Sequence, residues 1–114
     1  MNTSTNRRKK LRAVAEANLW ECRYMGVCDE FTRYPEDKMD GPITRLAKAN
    51  RWRLIERIII NYDVTDRITE VRIYDPSCQD VADGRMVDSF PIIGRDKRER
   101  VIARLENPLW KWGH

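Results

Sequence analysis

The sequence predicts an α+β domain: a three-stranded antiparallel meander with an N-terminal helix, a short second helix and a C-terminal helix packed mainly on one face. Three observations carry that expectation. In the stretch Trp52 to Tyr74, Trp52, Leu54, Ile58, Ile60 and Tyr62 share one parity, broken only by Glu56, while Arg53, Arg57 and Asn61 take the other. A period of two marks a strand with one buried face. Leu11, Val14, Ala15, Leu19 and Cys22 recur instead at helical spacing, and so do Val101, Ile102 and Leu105 near the other end. Helices flanking a run of strands give a meander with its helices segregated to one side.

Residues 1–5 are small, polar and expected to fray, with Ser4, Thr5 or Asn6 available to cap a helix over 6–22. Residues 23–42 show no sustained period and contain Gly26, Pro35, Gly41 and Pro42, so they read as an irregular connection. Asp40 then suits a cap and Pro42 a first-turn proline, for a short helix from Ile43 to Ala49 with Ile43, Leu46 and Ala47 inward and a stop at Asn50. The central stretch forms a hairpin that turns over Asp63 to Asp66. Asp75 to Gly84 is rich in turn formers, and a third strand from Arg85 to Ile92 follows, its Pro91 marking a sheet edge. Asp96 with Glu99 resembles an acidic capping box for the last helix, which Pro108 ends. An aromatic tail, Leu109 to His114, completes the chain.

A length of 114 residues suits one domain spanning 1–114. No window has the apolar length of a membrane span, and the basic N-terminal run leads into mixed sequence rather than the apolar core of a secretory signal. Cys22, Cys28 and Cys78 form neither a disulfide framework nor a metal-ligand spacing; they point to a reducing compartment, the cytoplasm. Cys78, in a loop, is the one thiol whose position suggests reactivity.

Catalytic chemistry finds few footholds. The single histidine is His114, so an internal imidazole base has no candidate, and the scattered glycines make no phosphate loop. The Asp75–Gly84 segment lacks the ligand pattern of a calcium loop. Neither a metal nor another cofactor is expected. Glu56 alone stands out, because an unpaired carboxylate on a buried strand face costs several kcal/mol. It reads as a metal ligand or acid/base group of a metal-dependent nuclease with acids such as Glu70 and Asp75, as a partner contact, as an ion pair with Arg72 or Arg85, or as a residue exposed at the strand's open end.

Binding is better provided for. The net charge of +4 is concentrated in Arg7, Arg8, Lys9, Lys10 and Arg12, cations that a helix N-terminus disfavours. Arg53, Arg57 and Arg72 lie on the outward parity of the strands, and Arg95, Lys97, Arg98, Arg100 and Arg104 enrich the last helix. Trp110 and Trp112 add aromatic anchors of the kind found at interface hot spots. The expected function is a small non-catalytic regulator or inhibitor that occludes a protein or nucleoprotein partner, in the manner of a phage or mobile-element accessory factor. The alternative is direct nucleic-acid binding through the basic N-terminal helix, with the nuclease third. The edge at Pro91 leaves room for a homodimer.

Overall fold

The structure is a computed structural model that describes the backbone of residues 3–35 and 41–107, and the side chains of 8–35 and 41–107. The fold class is α+β, but the sheet has five antiparallel strands rather than three. The elements are α1 (Thr3–Ala17), β1 (Glu21–Met25), β2 (Cys28–Arg33), α2 (Pro42–Asn50), β3 (Glu56–Tyr62), β4 (Ile68–Tyr74), β5 (Phe90–Pro91) and α3 (Lys97–Glu106). Neighbours in sequence are neighbours in the sheet, in the order β1-β2-β3-β4-β5.

The two additional strands come from the segment expected to be irregular. Residues 21–33 form a hairpin in which Cys22 opposes Phe31 and Tyr24 opposes Asp29, closed by Gly26 and Val27. Gly26 has φ 53, and glycine at the first central position is what a two-residue hairpin turn favours. The apolar alternation is masked by Asp29, a carboxylate on the buried parity. The first helix correspondingly ends at Ala17 instead of reaching Cys22. Leu19 adopts φ 66 and closes it: the Leu19 amide donates to Glu16 O and the Trp20 amide to Ala15 O, at 3.1 and 3.0 Å. This pairing satisfies the orphan carbonyls of the last turn, with a leucine where glycine is usual.

Alternation then sets the core. Glu56, Ile58, Ile60 and Tyr62 of β3, Asp29 and Phe31 of β2, and Val71 and Ile73 of β4 point to one face of the sheet and are buried. Leu11 and Ala15 of α1 and Val101 and Leu105 of α3 close over them, with the two helices side by side. Each large aliphatic side chain fully buried there contributes about 1.5–3 kcal/mol. Trp20 locks the helices to the hairpin, its indole Nε1 donating to the Leu105 carbonyl at 3.0 Å.

α2 and the residues after it are tied to the loop following β4. Its buried side chains are Thr44 and Ala47; of the expected inward set Ala47 is buried, whereas Ile43 and Leu46 are 39% exposed and Thr44 takes their place. Gln79 fastens this region: its Oε1 accepts from the Ile55 amide, while Nε2 donates to the Arg53 and Gly84 carbonyls. The third strand is much shorter than the expected 85–92, being Phe90–Pro91 with an isolated bridge between Gln79 and Met86. Asp96 makes no side-chain cap bond to α3, so the capping box is not formed. Cys78 is 5% exposed, which removes the accessibility that a reactive thiol requires. Asp40, the expected cap of α2, lies outside the described residues, and Gly41 occupies the N-cap position. No described helix is long and apolar enough to cross a membrane.

Candidate anion-binding site

Two buried carboxylates interrupt the apolar face of the sheet, and arginines hold both. Asp29, fully buried, accepts from Arg12 Nε and Nη2 at 3.1 and 2.9 Å and from the Tyr62 hydroxyl at 2.9 Å. Bonding to Asp29 raises the Arg12 pKa, while burial foremost, with the Asp29 charge, raises that of Tyr62. Arg12 also stacks on Tyr24, 4.0 Å from the ring centroid.

Glu56 faces Arg33 at 2.8 Å and Arg104 at 3.7 Å, and Arg104 continues to Asp75 at 3.5 Å. Arg33 lies 4.2 Å from the Trp20 ring centroid. The expected partners, Arg72 and Arg85, are not the ones used: Arg72 points to the opposite face, and Arg85 reaches Asp83. Burial lowers the Arg104 pKa, and the charges of Glu56 and Asp75 oppose that shift. Among the described residues, no group of three or more His, Cys, Asp or Glu side chains gathers to hold a metal ion. Asp75, the acid beside Glu56, is separated from it by the Arg104 guanidinium.

The basic N-terminal block does not act as a unit. Arg8 donates to the Gly26 carbonyl and to the Asp66 carboxylate, with its guanidinium 4.3 Å from the centre of the Tyr62 ring. Arg8 and Arg12 are therefore internal ties, whereas Lys9 and Lys10 are exposed. The side chain of Arg7 lies outside those described, as do Trp110 and Trp112. On the sheet, Arg57 meets Glu30 at 3.3 Å and Thr32 at 3.1 Å, and Arg72 meets the Ser89 hydroxyl at 2.7 Å and Glu70 at 3.8 Å. Arg53 stacks on Tyr34 with its guanidinium carbon 3.8 Å from the ring centroid.

A second group of cations collects elsewhere. A cavity of about 520 Å³ opens between α1, the β3–β4 turn and the start of α3, and Arg67, Arg95, Lys97 and Arg98 line it. Its inner wall is Leu11, Tyr62 and Ile68. Among the described residues Asp66 is the one acid in the lining, and Arg8 already holds it. The turn is fixed by Asp63, whose Oδ1 accepts from the Thr65 amide and hydroxyl and the Arg67 amide. Asp66 sits at φ 61 and lets the chain reverse there. On the far side, Lys97 Nζ donates to the Gly94 carbonyl at 2.6 Å and Arg100 Nη1 to the Ile93 carbonyl at 2.5 Å, so the loop into α3 is pinned by its own cations. Arg98 Nε is buried without a hydrogen-bond partner among the described residues.

Sequence reasoning recognises Arg95, Lys97 and Arg98 as basic helix residues but misses Arg67. The signal for it is the Asp63–Arg67 turn itself, which places residue 67 at one end of the sheet; that α3 begins beside that end is a tertiary fact. Comparison with protein-family models, with curated proteins and with solved structures finds no match.

Proposed function

We propose that this chain is a non-catalytic binding protein whose partner is a nucleic acid, held chiefly through its phosphates. The observation that supports this reading is the convergence of Arg67, Arg95, Lys97 and Arg98 on one concavity whose only lining acid among the described residues, Asp66, is paired with Arg8. Those four cations equal the formal net charge of the whole chain, +4. Phosphate neutralisation releases counterions and needs clustered cations, which this end of the molecule provides, with the acids Asp63, Asp96 and Glu99 interspersed among them. The electrostatic footprint thus moves from Arg7–Arg12, where two arginines are consumed internally, to the β3–β4 turn and α3. The neighbours of Glu56 are Arg33 and Arg104, which supports the non-catalytic reading over the nuclease alternative.

The test is binding to single-stranded oligonucleotides as a function of salt. Four phosphate contacts give a slope of log K against log salt of about −3 on single strands. Replacing both Arg95 and Arg98 with Gln is expected to reduce the slope by about 1–2. Absence of binding at low salt overturns the proposal.

A second reading, occlusion of a protein partner, is favoured by the outward parity of the sheet. There Arg57 and Arg72 are paired with Glu30, Glu70 and Ser89, giving a mixed-charge surface suited to protein rather than to phosphate. A partner retained after nuclease treatment and lost on Arg57→Glu would favour it over the first.

A further inference from the structure

Building on the nucleic-acid reading, we infer that the cavity between α1, the β3–β4 turn and α3 is a seat for a terminal phosphate, a phosphomonoester at the end of a single strand, rather than for interior phosphodiesters. Four features carry this.

The site is a pocket and not a ridge. Its volume of about 520 Å³ falls within the range of small-ligand sites, about 300–1,000 Å³. A concavity of that size takes one nucleotide unit, whereas a duplex backbone is met by a groove or a convex basic surface.

The charge is in excess. Arg67, Arg95, Lys97 and Arg98 share a lining whose single carboxylate among the described residues, Asp66, is bonded to Arg8. A phosphodiester brings one negative charge, and a phosphomonoester brings nearly two at neutral pH, because its second pKa lies near 6. The dianion offsets more of the charge gathered there, and guanidinium groups bind such oxygens in pairs.

Donors are left over. Arg98 Nε is buried and unbonded among the described residues, and Asp96 gives the start of α3 no side-chain cap, so its first amides keep their hydrogen-bonding capacity toward an anion. Arg67 and Arg95 are exposed, and the nearest acid acting on Arg67 is Asp63 in its own turn, so both side chains can swing toward a ligand.

The cavity also has an apolar side. Leu11, Tyr62 and Ile68 form a wall beside the cations, against which a terminal sugar or base can lie while the phosphate occupies the charged side.

The experiment uses the full chain and fluorescence anisotropy with one single-stranded oligonucleotide in three forms: 5′-phosphorylated, 3′-phosphorylated and with both ends hydroxyl. One phosphorylated end is expected to bind about tenfold more tightly than the hydroxyl form, the effect of one further charge-assisted contact. Which end is preferred identifies the strand polarity. That preference should shrink as pH falls below about 6, where the second phosphate proton returns. It should also disappear in Arg95→Gln and Arg67→Gln, both exposed positions at which the fold is expected to persist by circular dichroism. Equal affinity for all three forms overturns the terminal seat while leaving backbone binding in place. Failure of every form to bind overturns both proposals, and tighter binding of a phosphoserine peptide than of any oligonucleotide assigns the pocket to protein ligands and overturns this inference.

Discussion

The guanidinium of Arg12 grips the carboxylate of Asp29 with two hydrogen bonds, 2.9 and 3.1 Å long, between the middle of α1 and the hairpin strand β2. Asp29 is fully buried, so the pair joins two elements at a point where the surroundings are otherwise apolar. Removing one member strands a charge away from water, which costs about 3–5 kcal/mol. Arg12→Ala is expected to lower stability by that amount in urea unfolding, and Tyr62→Phe, which deletes one further bond to Asp29, by about 1 kcal/mol. Neutralising exposed Lys9 and Lys10 should change stability by less than about 0.5 kcal/mol. The contrast separates an internal tie from a surface cation within one basic run.

The Glu56 box behaves by the same physics with a different best replacement. Glu56 is fully buried against Arg33 and Arg104. Glu56→Ala leaves two guanidiniums facing each other and is expected to cost about 3–5 kcal/mol. A triple variant with Arg33→Met, Glu56→Leu and Arg104→Leu is expected to recover most of that loss, because an apolar set of similar volume removes the desolvation cost altogether. Equilibrium urea denaturation of the two proteins checks both statements. A triple variant less stable than Glu56→Ala would show that the charges organise the core beyond their pairwise energies.

Leu19 occupies the left-handed position that ends α1, and its side chain is 85% exposed, so the conformation is held without compensating burial. A left-handed non-glycine residue costs about 1–2 kcal/mol, and glycine returns about 0.4–1 kcal/mol of that through greater unfolded-state entropy. Leu19→Gly is therefore expected to stabilise the protein by about 0.5–1 kcal/mol, measurable as a raised melting temperature.

That same position explains much of what the sequence conceals. The helix stop at Leu19 carries no glycine, so the apolar series Leu11, Val14, Ala15 runs on through Leu19 and Cys22 as if the helix continued, although Cys22 is already on β1. Arg51 ends α2 in the same way at φ 63, and in both places a tryptophan follows, Trp20 and Trp52. Asn-Leu-Trp and Asn-Arg-Trp are thus equivalent stops, of which sequence reasoning finds the second, at Asn50, and misses the first. Asp29 hides β2 for a second reason: a buried carboxylate reads as a surface residue until Arg12 is known to lie above it. The central hairpin and its turn are legible because their alternation and turn chemistry are local. The basic cavity is legible only in part, since Arg95, Lys97 and Arg98 lie within one four-residue stretch while Arg67 comes to them from the β3–β4 turn.

Asp63 makes the turn that positions Arg67, and its carboxyl is held below its ordinary value of 3.8, first by the Thr65 hydroxyl and then by the Arg67 amide. A depressed folded-state pKa means that this contribution is complete above the unfolded value and disappears as pH falls through the folded one. The turn should therefore stay intact down to pH 3.8 and loosen only below it. Amide shifts of Thr65 and Arg67, followed by NMR from about pH 5 to about pH 2, are expected to move together with one midpoint under the ordinary carboxylate value. Asp63→Ala should abolish that transition and weaken oligonucleotide binding through Arg67 without altering the core.

Gly84 is the point at which the loop after β4 meets α2's exit. Its φ is +73, and a Cβ placed there would lie 2.4 Å from Cγ and Cδ2 of Trp52 and 2.6 Å from its Cβ. The obstruction includes the root of the indole side chain, so rotating the ring does not relieve it. Gly84→Ala must therefore shift backbone, and the loop it would shift is the one that Gln79 fastens through its bonds to the Arg53 and Gly84 carbonyls. Left-handed strain and overpacking together are expected to cost about 2–4 kcal/mol. Thermal unfolding of Gly84→Ala should show that loss. Adding Trp52→Ala removes the ring but not the root or the strained φ, so the double variant should be more stable than the sum of the single losses and still less stable than the parent, a coupling expected of residues in direct contact. Strict additivity would mean that Trp52 and Gly84 do not share the contact. Because the cavity at the start of α3 is lined by neither residue, oligonucleotide affinity of the folded Gly84→Ala protein is expected to match that of the parent.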